Sequence, residues 1–202
     1  MIAFLKDLTI ETIRDPKAAA HRLMAMNFER EALWTMLVLA CVLNTLAFQI
    51  TNLLFPIPEE VLRELAGRPE LFLFRITPGV MFVLLASVSI GLVFLFFWGG
   101  RAMGGNAAFP TILLMVAWLQ FLQVMVQVGA LVLMLFLPGL AGIFDLGASL
   151  YGVWIFANFM NEAHGFGSVG KAFLMIFMTM MGAVLGISVF FAVLGLAAMG
   201  PV

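Results

Sequence analysis

The run "GGRAMGGNAAFP", residues 99–110, has the residue types of an anion cradle: four glycines, Arg101 as a cation, and Asn106 ahead of Pro110. Loops that cradle phosphate use backbone N–H groups between a strand and the N-terminus of a helix. Here no Lys is followed by Ser or Thr, and Gly99, Gly100, Gly104 and Gly105 do not fall into the GxGxxG spacing. The preceding segment is apolar and of membrane-spanning length, so a nucleotide is not expected. The expected role is a hairpin between two membrane helices, with Arg101 and the N–H groups near Asn106 free to meet an anionic lipid headgroup.

A second polar group gathers at the same end: Arg101, Asn106, Asn158, Asn161, Glu162, His164 and Lys171. Glu162 and His164 are two residues apart and would not share a helical face, which makes them poor joint metal ligands. A solvated turn with Glu162 paired to Arg101 or Lys171 is the expectation. The chain has one cysteine, Cys41, and two histidines, too few for a structural zinc site. The methionines of "MIFMTMM", residues 175–181, place Met175 and Met178 on one face, but no soft partner cluster accompanies them. No metal and no cofactor is expected.

Amides inside apolar segments form the third group. Gln120, Gln123 and Gln127 recur at offsets of 0, 3 and 7, one helical face. Thr45, Gln49 and Asn52 recur at 0, 4 and 7 on another segment, and Asp145 opens a third. Polar groups in lipid are costly and tend to face a bundle interior or a pathway. Two readings follow. One is a polar cavity open to the outside with Asp145 as its acid. The other, and the expected one, is interhelical hydrogen bonding, at about 1 kcal/mol or less per bond. Nowhere do a nucleophile, a base and an orienting group converge, so catalysis is not expected. Small residues at helical spacing, Ser87 with Gly91, Ala148 with Gly152, and Gly182 with Gly186, mark faces where helices or partners could touch.

The elements that must position these residues are legible from composition. The 202 residues are 64% hydrophobic and only 10% charged, with mean hydropathy +1.14. A soluble domain carries roughly 25% charge, so the apolar surplus must face lipid. The net charge of −1 offers no basic footprint for nucleic acid. Five apolar stretches reach spanning length, at about 33–54, 79–98, 109–136, 141–161 and 172–199. The fold class is therefore all-α: a polytopic membrane protein with a five-helix transmembrane bundle in residues 33–202. Lys and Arg number seven on the side of the N-terminus and three on the other, which puts the N-terminus in the cytoplasm and the C-terminus outside.

Residues 1–32 form a cytoplasmic amphipathic lead-in. "RDPKAAAHRLMAM" offers Asp15 as N-cap and Pro16 at the first helical position. Two short helices lying on the cytoplasmic surface are expected. Between the first two spans, "EEVLRELAG" at 59–67 predicts a further short helix ended by Gly67.

The stretch "MGGNAAFPTILLMVAW", residues 103–118, resembles the Gly-Gly, small residue, Phe and apolar-run signature of the Yip domain, the Ypt/Rab-interacting-protein family. "LYGVWIFANFMNEAHGFGSVGKAF", residues 150–173, is similar to that family's Tyr/Leu-rich span followed by a His-Gly-Phe and Lys-Ala turn, and "RDP" at 14–16 also fits. The resemblance covers nearly the whole chain. It implies five spans and a cytoplasmic N-terminus. Eukaryotic members bind Rab-type GTPases through a long cytoplasmic N-terminal region, whereas this chain has only about 32 residues there. That implies a prokaryotic, short-N-terminus member of a bacterial inner membrane. The resulting expectation is a non-enzymatic membrane protein that organises membrane or partner proteins, touching lipids and associating with partners or itself. The alternatives are small-solute or lipid transport through the polar outer cavity, and an accessory subunit of a larger membrane complex.

Overall fold

A computed structural model describes residues 2–56, 60 and 77–198. Among the described residues the chain is helical without strands: α1 (Ile2–Arg14), α2 (Pro16–Ala25), α3 (Arg30–Leu54), α4 (Pro78–Ala102), α5 (Phe109–Phe136), α6 (Pro138–His164) and α7 (Val169–Ala198). Five helices, α3 to α7, are long and apolar enough to cross a membrane, α7 over Val169–Val189. The helix expected in "EEVLRELAG" falls almost wholly outside the described residues.

Local chemistry sets the helix ends. Asp15 caps α2 by accepting the Ala18 N–H at 3.0 Å, with Pro16 in the first turn. Thr77 caps α4 by accepting the Val80 N–H, with Pro78 following. Only Leu137 separates α5 from α6, because Pro138 has no N–H with which to continue α5. Gly165 closes α6 at φ 65°, a left-handed conformation that glycine adopts without strain. Two boundaries differ from the sequence expectation. Gly99 and Gly100 belong to α4 and not to the hairpin, and α6 continues past the expected end near residue 161 to include Glu162 and His164.

The five long helices run alternately up and down. One end carries α1 and α2 and is called here the capped end; the other is the open end. The broadest interhelical contact is α3 on α5, and α5 also meets α2, α4 and α6. As a result seven consecutive residues of α5, Ile112–Trp118, are buried. Seven residues make nearly two turns, so every side of this stretch faces protein. α5 has 28 residues and is about 42 Å long, against about 30 Å of hydrocarbon. Its first turns therefore have length to spare for a protein layer at the capped end.

The N-terminal helices make that layer. Leu8, Thr12, Ala19, Ala20 and Leu23 are all buried. Trp118 Nε1 donates to Thr12 Oγ1 at 3.1 Å, and the Tyr151 hydroxyl donates to the Ile13 carbonyl. The two short N-terminal helices read from the sequence are present, and they are docked on the bundle. Toward the open end the pattern reverses. Val132, Leu135, Phe136 and Leu140 are exposed, as are Ile143, Leu146 and Leu150, and on α7 Val184, Leu185 and Ile187. Such a belt suits hydrocarbon, not water.

Candidate functional site

Two polar constellations stand out. The first lies at mid-depth, where α3, α4 and α5 meet. Asn44 donates through Nδ2 to its own helix at Ala40 O, 2.9 Å, and across to the Gln120 carbonyl, 2.9 Å. Its Oδ1 accepts from Gln127 Nε2 at 2.8 Å. Gln120 Nε2 donates to Ser89 Oγ at 2.6 Å, and Ser89 also accepts from the Cys41 thiol at 3.7 Å. One amide at the centre thus uses both of its N–H groups and its oxygen, and three helices are tied together. The small residues Ala40 and Ala47 flank Asn44 on the buried face of α3 and let α5 come close.

This differs in part from the expected face. Gln120 and Gln127 turn inward, but Gln123 is exposed, because at 100° per residue it sits about 60° from Gln120 and about 40° from Gln127 around the helix. Thr45 is buried yet bonds its own helix at Cys41 O. Gln49 carries a buried Nε2 without a partner. Asn52 is half-buried one turn further on, and Asp145 is exposed near the start of α6, away from the central amides. The partners that sequence reasoning missed are Asn44 and Ser89. The signal for Asn44 was the run of small and polar residues at 40, 41, 44 and 47 on α3; Ser89, on α4, had none of this kind.

The second constellation fills the corner of the capped end between α4, α6 and the turn after α6. His164 is 1% exposed. Its Nε2 lies 3.2 Å from the Phe96 carbonyl, so Nε2 carries the hydrogen when the ring is neutral, and Nδ1 is buried without a partner. The ring stacks on Phe166 with centroids 5.2 Å apart and planes 16° apart. The glycine-rich run makes the space for it. A Cβ at Gly100 or at Gly105 would collide with the imidazole, and the Asn106 N–H donates to the His164 carbonyl at 3.1 Å. The glycines cradle a histidine of the same chain.

Around this ring the neighbouring side chains shape the corner. Asn161 accepts the Ser168 N–H at 2.8 Å and donates to Glu162 Oε1 at 2.8 Å, fixing the turn. Asn158 donates to Trp154 O within α6. Glu162 does not pair with Arg101 or Lys171, which corrects that expectation. It faces α2, where it meets Lys17 Nζ at 3.4 Å and His21 Nε2 at 2.8 Å. Arg101 instead lies 4.7 Å over the Phe97 ring, and Lys171 4.8 Å over Phe166. His164 and Glu162 point to different neighbours, and among the described residues no group of three or more His, Cys, Asp or Glu is placed to hold a metal ion.

The small-residue pairs lie elsewhere than the close approaches within this chain. A Cβ at Gly91, Gly152, Gly182 or Gly186 would meet nothing within 4 Å; Ser87 is exposed and Ala148 half-buried. The tight contacts come from Gly99 against Thr179 and from Gly100 and Gly105 against His164.

Set beside known proteins, residues 10–191 match the family described as the Yip1 domain. No curated protein and no solved structure matches the chain.

Proposed function

This chain belongs to the Yip1 domain family, an integral membrane family, and from that premise we propose that it is a non-enzymatic organiser of membrane or partner proteins. The observation that carries the reading is the docked cap. α1 and α2 are held to the bundle by Thr12–Trp118, Ile13–Tyr151 and the Glu162 ion pairs, and present Lys6, Asp7, Arg14 and Lys17 to solvent. A fixed, mixed-charge surface above a lipid-facing bundle suits protein contact. Positioned acid–base groups, by contrast, do not converge in the polar core: Asn44, Ser89, Gln120 and Gln127 bond one another, and Asp145 stands apart. That arrangement supports cohesion over a conducting path, and on that support we rank the transport alternative second. We further propose a bacterial inner membrane with the capped end in the cytoplasm, on the basic-residue asymmetry of the sequence.

The test is affinity purification in mild detergent followed by mass spectrometry, comparing the protein with its Glu162→Ala variant. The reading predicts a discrete set of co-purifying membrane proteins that is lost or depleted when the cap is undocked. An identical set from wild type, variant and an unrelated membrane protein would contradict it.

A further inference from the structure

Between α4 and α7 the bundle leaves a groove of about 500 Å³, open on its lipid-facing side and lined chiefly by Phe94, Leu95, Trp98, Met103, Met178 and Gly182, with Thr179 in its wall. Its origin is visible in the side chains. Gly99 lets α4 close onto Thr179, where any Cβ would collide, so the two helices touch at that level. One turn further along α7, Gly182 supplies no side chain and nothing lies within 4 Å of where one would begin. Contact below and absence of filling above produce a trough. Its volume is in the range of small-molecule sites. The one polar side chain in the wall, Thr179, is turned to Met175 Sδ at 3.7 Å. The trough therefore offers hydrogen-bonding partners to nothing and apolar contact to a chain.

Toward the capped end, α4 and α7 each carry a cation outside the lining of the trough. Arg101 follows Phe94 by seven residues and Lys171 precedes Met178 by seven, so each cation lies on the stripe of its helix that lines the trough. Both are exposed. Each is steadied by an aromatic face, Arg101 on Phe97 and Lys171 on Phe166. The ion pairs among the described residues are Lys17 and His21 with Glu162 and Arg22 with Glu11, so neither of these two cations is engaged in one. Trp98, 63% exposed at the rim, is the residue type that favours the boundary between hydrocarbon and headgroups.

An apolar trough with two cations toward its capped end, neither in an ion pair among the described residues, is complementary to one kind of molecule. We propose that it binds an anionic phospholipid of the leaflet at the capped end, one acyl chain in the trough and the phosphate at Arg101 and Lys171. The phosphate contact is thereby made by the side chain of Arg101, in the last turn of α4, and not by the backbone of the glycine-rich run. This inference does not rest on the organising role.

The test uses the full chain in detergent exchanged against phosphatidylglycerol or phosphatidylcholine of identical acyl chains, with retained lipid counted by native mass spectrometry. The wild type retains phosphatidylglycerol in preference. Arg101→Gln and Lys171→Gln each lower that preference about fivefold, the effect of one cation near an anionic headgroup. Gly182→Leu fills the trough and lowers retention of both lipids, while Val184→Leu, exposed on the other side of α7, leaves retention unchanged. Should Gly182→Leu fail to fold, the two charge variants still decide. Equal retention of the two lipids by wild type, indifference of a folded Gly182→Leu, or a second copy of the chain retained in place of lipid would each overturn the proposal.

Discussion

Asn44 is where the mid-depth contacts of three helices converge, and replacing it tests them. Asn44→Ala strands the Gln127 amide and removes the bridge to the Gln120 carbonyl. The expected loss is about 1–2 kcal/mol in a reversible detergent unfolding titration. Gln127→Leu removes one bond and is expected to cost about 1 kcal/mol or less; a double variant losing only as much as Asn44→Ala alone would show the coupling, and strict additivity would argue against it. Asp145→Asn, at an exposed position, is expected to leave the midpoint unchanged. The sequence revealed which helices carry polar faces, because offsets of three, four and seven are visible in one chain. It did not reveal that Asn44 and not Thr45 faces α5, since adjacent residues point about 100° apart and the choice depends on where the neighbouring helix lies. The role of Gly100 was equally invisible. Glycine in an apolar run reads as a turn or a packing face, and only the position of His164, 64 residues away, shows what the missing Cβ accommodates. Gly100→Ala is expected to destabilise by about 1–3 kcal/mol through overpacking. His164→Ala in the same chain should recover much of that loss in the same titration; no recovery would mean that the clash is relieved elsewhere.

Among the elements, the cap is the one whose position was least legible. Asp15 followed by Pro16 marks the start of α2 in the sequence itself, and its amphipathic pattern marks a buried face. What that face covers was not marked, because its anchors are far along the chain: Thr12 bonds Trp118 across 106 residues and Ile13 bonds Tyr151 across 138. The spans were legible because lipid demands about 20 apolar residues regardless of partners. Their capped-end extensions were not: α4 continues through Gly99 and Gly100, and α6 through the polar run to His164. Since Glu162 joins α6 to Lys17 and His21 of α2, Glu162→Ala should loosen α2. Limited proteolysis in the exposed connection at Asn27–Arg30 is expected to accelerate several-fold, with the bundle fragment left intact. An unchanged cleavage rate would mean that the apolar contacts of Ala19, Ala20 and Leu23 hold the cap without the ion pairs.

Among the described residues, the molecule combines a protein-packed end under α1 and α2 with an opposite end whose apolar side chains are exposed. Five spans would put its two ends on opposite sides, and the basic-residue asymmetry is the ground on which we propose the N-terminus in the cytoplasm. A reporter fused after Val202 that is active only outside the cytoplasm should therefore be active; activity of a cytoplasmic reporter instead would reverse the orientation or change the span count. The central proposal is that this Yip1-domain protein organises membrane or partner proteins and does not conduct through its polar core. The most direct measurement is solute flux and lipid scrambling by the purified protein in sealed proteoliposomes. Rates equal to those of protein-free vesicles are predicted; flux above that level, abolished by Asp145→Asn while the unfolding midpoint stays unchanged, would contradict the account.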